Sequence, residues 1–483
     1  MNSINQKISS GVLWNLLSLF MTRGAGTIFT LFLARLLAPE AFGLIAMVTI
    51  VFELANTFIN SGLGTALIRS KSVSNTDFNT VFYTNIALSS ISYIVLFIAS
   101  PYVAKFYNQP ELTLLIQVMG LAVFINATNI VQSAIFNREM NFKALMKSNT
   151  LSVVLSGILG VAAAWYGMGV WSLVVQSLSA TCISAIALWY MSNWRPKLEF
   201  SYDSFTTLFK FSKNLLAEGL LDVIFRNSYI LVIGRLFSAE VTGLYFFANK
   251  LSNLISQQLT SAIQQATLPA LAKMQDETEA LRVKYRQIIQ ITMFIIAPVM
   301  ALLAAVSPIL VPLAFKESWA PVVPYLQLLC IIGALYPLHA INVNLLMVKG
   351  RSDLLFKIGL LKRAVSITLL FLAVPYGVRG IIVGQIISSL FSLIPNTYFT
   401  SKLINYSLAA QFKDSFKPIT SAVISGVLTW LLIIKTTNVH PFIWFLLCSM
   451  LGSFLYLAVS IITRTEGAVL LIKLYNSKVK KGS

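Results

Sequence analysis

Charge is scarce in this sequence. Only 11% of its 483 residues are Asp, Glu, Lys or Arg, where a soluble domain carries about 25%. With 57% hydrophobic residues and a mean hydropathy of +0.77, the chain cannot cover its own surface in water. That excludes a soluble enzyme or binding module and implies a polytopic membrane protein. Histidine is scarcer still, with His339 and His440 alone, too few for a histidine metal site. Cys182, Cys330 and Cys448 all sit in apolar runs, so neither a disulfide framework nor a metal cluster is implied. No metal and no bound cofactor is expected.

Acids are few as well, 17 against 36 Lys and Arg, for a formal net charge of +19. Such a balance suggests nucleic acid until its distribution is examined. A spanning helix needs about 20 mostly apolar residues, and 14 such stretches can be placed. The first six are 11–37, 41–67, 78–99, 112–135, 148–165 and 169–191. The next six are 213–236, 240–268, 286–312, 322–347, 357–375 and 380–400, and the last pair is 418–434 and 441–462. The apolar run after Met1–Ser10 is too long for a signal-peptide core and contains Arg23, so it reads as a retained first span. Twenty-five of the 36 basic residues fall in the loops of one side, and four (Lys105, Lys316, Arg379 and Lys435) in the loops of the other. The positive-inside rule then puts both termini in the cytoplasm, and topology accounts for the charge without a nucleic-acid partner. The stretch Glu466–Lys481 mixes apolar residues with lysines and is expected to lie on the anionic inner leaflet, with membrane lipids as its partner.

The chain is built twice. Ala34–Leu44 reads Ala-Arg-Leu-Leu-Ala-Pro-Glu-Ala-Phe-Gly-Leu, and 200 residues later Gly234–Leu244 keeps Arg235, Leu236, Glu240, Gly243 and Leu244 in register with Arg35, Leu36, Glu40, Gly43 and Leu44. Tyr166-Gly167 is echoed by Tyr376-Gly377, and Phe142-Lys143 by Phe356-Lys357. Each repeat holds six spans, so both copies enter the membrane in the same sense, as parallel repeats do. The expected architecture is all-α: an N-lobe over 1–191, a linker over 192–212 and a C-lobe over 213–400. Two extra spans over 401–462 and a basic tail over 463–483 follow.

The turn motif itself reads as structure. Proline and glutamate favour a helix's first turn, a cation suits the preceding C-terminus, and Gly43 and Gly243 permit close helix approach. Deeper charges call for another explanation. Arg23 lies about 18 Å along the first span, Arg226 about 20 Å along the seventh and Lys250 about 15 Å into the eighth, at the helical rise per residue. A cation at mid-bilayer costs roughly 2.5–3.5 kcal/mol and usually faces a polar cavity. Glu53 is mid-span in the second helix. Glu218, Asp222 and Arg226 share one face of the seventh at i, i+4, i+8. Asp222 could neutralise Arg226, or one of these acids could titrate or bind Na⁺ as a coupling site. Lys362 and Arg363 lie near the inner leaflet, where basic side chains snorkel.

Polar uncharged residues crowd other spans: Asn126, Asn129 and Gln132 in the fourth, and Asn249, Ser252, Asn253, Ser256, Gln257, Gln264 and Gln265 in the eighth. The tenth adds His339, Asn342 and Asn344. Hydrogen bonds between helices explain some of them; a wet cavity that accepts sugar hydroxyls explains the set, with Asn126, Asn129, Asn253 and Gln257 as candidate glycan contacts. No nucleophile elbow, phosphate-binding loop or outward acid pair marks an enzyme.

With the turn, the six-span repeat and Arg23 in view, the chain resembles the Wzx-type polysaccharide flippases. These are the polysaccharide-transport branch of the multidrug/oligosaccharidyl-lipid/polysaccharide exporter superfamily. The residues that carry the resemblance are Leu33–Gly43 and Phe136-Asn137-Arg138-Glu139-Met140-Asn141-Phe142-Lys143. The resemblance implies a MATE-like fold in the bacterial inner membrane and an alternating-access flippase rather than an enzyme. Its cargo would be undecaprenyl-diphosphate-linked oligosaccharide for O-antigen, capsule or exopolysaccharide, with polysaccharide polymerase machinery as a partner; the span acids leave H⁺ or Na⁺ coupling open. In related lipid II flippases a first-helix arginine helps receive the diphosphate, a role that the resemblance carries to Arg23; Lys250 resembles their cationic residue on helix eight. A multidrug or cation antiporter, or a lipid II flippase, of the same superfamily is the near alternative. A membrane glycan polymerase or ligase should have a large outward loop, and a major-facilitator transporter a Gly/Arg-rich loop after the second span. The sequence offers neither.

Overall fold

A computed structural model describes residues 21–60, 62–435 and 440–469. The expected start of the first span, 11–20, and the basic tail from 470 onward lie outside the described residues. Those described are helical almost throughout. In chain order they form α1 (21–36), α2 (Pro39–Asn60), α3 (Leu63–Arg69), α4 (Asn75–Tyr107), α5 (Leu112–Ala127) and α6 (Ile130–Arg138). Next come α7 (Phe142–Trp165), α8 (Trp171–Met191), α9 (Tyr202–Leu236), α10 (Ala239–Lys273) and α11 (Thr278–Ala314). The chain continues through α12 (Val322–Val348), α13 (Ser352–Ala373), α14 (Gly377–Ile404), α15 (Leu408–Lys435) and α16 (Pro441–Ile462). The protein is an all-α polytopic membrane protein, and its helices fall on the fourteen expected stretches.

Two of those stretches are each divided between two helices. α2 and α3 are separated at Gly62, whose φ of 76° is left-handed, a conformation that glycine adopts without a Cβ clash. Between α5 and α6, Thr128 and Asn129 turn back on Ile125 and Asn126 with i→i+3 backbone bonds of 3.2 and 3.0 Å. The Thr128 hydroxyl takes the Ile125 carbonyl at 2.7 Å, offering the backbone a local alternative to the helical ladder. Apolar periodicity registers neither break, because the residues on both sides stay hydrophobic.

The chain forms two compact units, 1–243 and 244–483, divided inside α10. In the first, α4 turns Asn79, Thr80, Asn85 and Ser89 inward, fully buried, and leaves Ile91, Ile94, Val95 and Ile98 exposed. α7 does the same, burying Ser148, Ser152 and Ser156 while Leu151, Leu155 and Ile158 face out. Outward apolar side chains are what a lipid-facing surface needs, and small hydroxyl residues let helices approach and bond to each other. The second unit packs Leu281, Tyr285, Ile289 and Met293 of α11 with Leu338, Ile341 and Leu345 of α12 and Leu393 of α14. α15 and α16, beyond the repeat, lie against α11, where Tyr456 donates to the Phe294 carbonyl at 2.8 Å.

Candidate functional site

The two copies of the turn have matching backbone geometry. Leu37 N donates to Leu33 O at 2.8 Å, and 200 residues later Phe237 N donates to Ile233 O at 2.8 Å. The hairpins meet through their glycines: a Cβ at Gly43 would strike the Ala239 carbonyl, and one at Gly243 the Pro39 carbonyl. Arg35, Glu40, Arg235 and Glu240 are exposed around this contact, and the Arg235 guanidinium lies 5.3 Å over the Phe106 ring.

From that junction α2 and α9 run together in antiparallel register. Gly234 and Gly219 of α9 admit Met47 and Thr57 of α2 so closely that a Cβ would come within 3.2 and 2.8 Å of them. Between these contacts Glu53 faces Arg226 and Asn227. Glu53 Oε2 accepts from Arg226 Nη2 at 3.0 Å and from Asn227 Nδ2 at 2.7 Å; the Asn227 amide is braced in turn on the Val223 carbonyl at 3.0 Å. Glu53 lies 14 residues past Pro39, about 21 Å of helix, deep within a helix that is apolar enough to span a membrane. The pair is not sealed, since the side chains of Arg226 and Glu53 are 60% and 35% accessible. Arg226 keeps Nε and Nη1, and Glu53 keeps Oε1, without a protein hydrogen bond among the described residues. Two guanidinium nitrogens, carrying three N–H groups, therefore face open space beside the carboxylate. Those N–H groups can donate to the oxygens of a bound phosphate.

The remaining sequence candidates are distributed as follows. Arg23 is exposed on α1, with the Thr27 hydroxyl bonded to its carbonyl at 2.7 Å. Glu218 is exposed and Asp222 half-buried, on the turns of α9 that precede Arg226. Asn126 is half-buried at the α5–α6 break, Asn129 is buried, and Gln132 is fully enclosed. In the second unit α10 has two polar faces. Ser252, Ser256 and Thr260 are buried, Ser252 donating to the Leu329 carbonyl of α12 at 3.0 Å. Lys250, Asn253 and Gln257, at i, i+3, i+7, form a more accessible face; Asn253 donates to Asn249 Oδ1 at 3.0 Å, and the Lys250 ammonium stands 5.9 Å over Phe246.

His339 and Asn342 belong to a closed network. The His339 ring lies 3.0 Å from Ser389 Oγ and 3.1 Å from Asn396 Nδ2. Asn342 donates to Gln411 Oε1 at 2.8 Å and accepts from Thr400 at 2.6 Å. Beside them Asp414 of α15 takes both arms of Arg286, at 2.7 and 2.6 Å, Gln290 at 3.0 Å and the Tyr406 hydroxyl at 2.6 Å. Burial and then its bond to Asp414 push the Tyr406 phenol well above its ordinary range, so it remains a donor. Sequence reading placed Asp414 in a loop and did not find Asn227, Gln411 or Tyr406. The signal available was a carboxylate among lysines just before an apolar run. No group of three His, Cys, Asp or Glu residues that could hold a metal occurs among the described residues.

These features can be compared with known proteins. A family model described as polysaccharide biosynthesis protein matches residues 32–324, which take in the turn, its repeat and both Glu53 and Arg226. The lipopolysaccharide biosynthesis protein WzxC of Escherichia coli K12 is 28% identical over 397 residues, covering 81% of each chain. The succinoglycan biosynthesis transport protein ExoT of Rhizobium meliloti is 26% identical over 86% of this chain and 82% of its own. Among solved structures, the lipid II flippase MurJ in an inward closed conformation superposes with a TM-score of 0.75 at 13% identity, over 94% of this chain and 99% of its own. At that identity the likeness establishes the fold.

Proposed function

Since the chain belongs to the polysaccharide biosynthesis protein family, we propose that it is a flippase for lipid-linked oligosaccharide. Its cargo is an undecaprenyl-diphosphate-linked repeat unit, carried by alternating access from the cytoplasmic to the outer leaflet of the bacterial inner membrane. The product feeds surface polysaccharide synthesis and a downstream polymerase. Relatives named for lipopolysaccharide biosynthesis and succinoglycan transport support the substrate class.

The observation that carries the reading is Arg226: a guanidinium deep along a spanning hairpin, bonded to Glu53 through one nitrogen and open at two others. A diphosphate cannot enter hydrocarbon bare, and an arginine that is already desolvated on one side receives it with charge-assisted hydrogen bonds. In the first unit Arg23 supplies further positive charge, and in the second unit Lys250 is the candidate cation. Accessible amides such as Asn253 and Gln257 offer donors and acceptors to sugar hydroxyls; in the first unit the half-buried Asn126 is the corresponding candidate, and the buried Asn129 would have to become exposed to join it. Glu53, Glu218 and Asp222 are the acids through which H⁺ or Na⁺ could couple. The lobes are 1–191 and 213–400, and both termini face the cytoplasm. The protein moves its substrate without chemical change and is not an enzyme.

The test is a strain lacking this gene, complemented with wild type or with Arg226→Ala and Arg23→Ala. The variants should reach the membrane at normal level, lose surface polymer and accumulate lipid-linked repeat units in the inner leaflet. Unchanged polymer output from both variants would remove the anion-site reading. Single cysteines at Glu240 and Gln275, in a background without the three native cysteines, should label from outside and inside respectively.

A further inference from the structure

The first unit contains a second concave site, away from Arg226, where the basic loops gather. It is a pocket of about 810 Å³ at the ends of α4, α6, α7 and α8. Asn75, Arg138, Asn141, Asn193, Arg195 and Lys197 line it, with Trp194 and the carboxylate of Glu139. Three cations stand against one acid. α4 and α7 also begin at its wall, their first turns capped by Ser74 with Asp77 and by the Asn141 side chain.

The wall is held in place before any ligand arrives. Arg138 Nη1 donates to the Leu67 and Ser70 carbonyls at 2.5 and 2.6 Å, leaving Nη2 and Nε without a protein acceptor among the described residues. Arg195 donates to the Ser192 and Trp189 carbonyls at 2.6 and 3.1 Å. The extended strap that follows α8 is tied to α4: Lys197 N donates to Asn79 Oδ1 at 3.1 Å, Asn79 Nδ2 to Glu199 at 3.1 Å, and Ser201 N to Thr80 Oγ1 at 3.0 Å. Trp194 is wedged edge-on against Phe78 and Phe82 at 6.1 and 5.8 Å. The Lys197 ammonium is exposed and has no protein partner among the described residues.

We propose that this pocket binds an anionic sugar, a sugar phosphate or a uronate. The cations take the acidic group, the asparagine amides take paired hydroxyls, and the Trp194 ring offers an apolar surface to a sugar face. The volume lies within the range of small-molecule sites and exceeds the need of a bare phosphate. The site stands on its own residues and does not depend on the protein being a flippase.

The test is calorimetric titration of the full-length protein in phosphatidylcholine nanodiscs with glucose 1-phosphate, glucuronate, glucose and inorganic phosphate. Glucose 1-phosphate or glucuronate should saturate at one site per chain, at least tenfold more tightly than glucose or inorganic phosphate. Lys197→Glu should weaken binding at least tenfold with an unchanged unfolding temperature, whereas Lys210→Glu, outside the pocket, should leave it intact. Competition by a purified undecaprenyl-diphosphate-linked oligosaccharide would identify the glycan of a lipid carrier as the source; its absence would assign soluble sugars. Equal affinity for inorganic phosphate, indifference to Lys197→Glu, or loss of the titration in phosphatidylglycerol nanodiscs would overturn the proposal, the last by showing a lipid headgroup in the pocket.

Discussion

Among the described residues, two arginine–carboxylate pairs join distant helices, and they are built differently. In the second unit Asp414 is 7% accessible, and four donors from Arg286, Gln290 and Tyr406 occupy both its oxygens. In the first unit Glu53 offers one oxygen to two donors, and Arg226 is 60% accessible. Both pairs bring opposite charges to hydrogen-bond distance, so charge alone does not distinguish them. Saturation does. A carboxylate whose acceptor sites are filled by its own protein has nothing left for a ligand and acts as a clasp between α11 and α15. A pair with three polar atoms still open is arranged to exchange partners.

The largest expected effect of breaking this contrast is on stability. Arg286→Ala leaves a nearly buried carboxylate with only neutral donors, and removing one member of a buried pair costs about 3–5 kcal/mol. Because Arg286 itself is half-exposed, a loss of about 3 kcal/mol is expected, read as a lower thermal unfolding midpoint in nanodiscs. A midpoint within a degree of wild type would show that Gln290 and Tyr406 hold Asp414 without the arginine.

Arg226→Ala should behave in the opposite way. An accessible ion pair contributes roughly 0–1 kcal/mol, so the midpoint should move little while flipping of the lipid-linked substrate is lost. The reversed pair, Glu53→Arg with Arg226→Glu, sharpens the point. It restores opposite charges at the same contact and should recover stability without recovering flipping. Transport by the reversed protein would show that Arg226 is a clasp like Arg286. Glu53→Gln is a milder change, since the amide oxygen still accepts from Asn227. Stability should change by less than about 0.5 kcal/mol, read as a thermal midpoint in nanodiscs beside that of Arg226→Ala.

How far the sequence could anticipate this follows from what periodicity reports. The fourteen apolar stretches, the turn with its copy and the depth of Arg226 all belong to single segments, and they are legible there. The partner of Arg226 is not. Glu53 lies 173 residues away, and in a chain apolar on its lipid face and mostly apolar on its packed face, hydrophobicity does not say which helix lies opposite. The i, i+4 spacing offered Asp222 either as a neutralising group for Arg226 or as a coupling acid; it gave no sign of Glu53 of α2, which tertiary packing brings to 3.0 Å from Arg226. Asp414 was hidden for a different reason. Its surroundings, Gln411-Phe412-Lys413-Asp414-Ser415, read as a polar loop, yet α15 starts at Leu408 and burial of Ser415 and Gln411 extends it below the apolar run. The break at Gly62 needs a left-handed residue that composition alone does not demand.

The smallest expected effects come from the arginines of the repeated turn, which are the most visible in the sequence. Arg35 and Arg235 are both exposed beside the Gly43–Gly243 contact. Substitutions away from buried networks usually cost less than about 0.5 kcal/mol, and Arg35→Gln should fall in that range with flipping retained. Arg235→Gln should cost slightly more, because its guanidinium lies 5.3 Å over Phe106, a contact worth about 0.5–1 kcal/mol at an accessible site. Single substitutions measured side by side by thermal unfolding and polymer output therefore rank Arg286, Arg235 and Arg35 by stability, with Arg226 alone standing out in transport. If Arg35→Gln abolished flipping at normal stability, the open atoms around Arg226 would not suffice to locate the working charge, and the interfacial arginine would have to share in receiving the diphosphate.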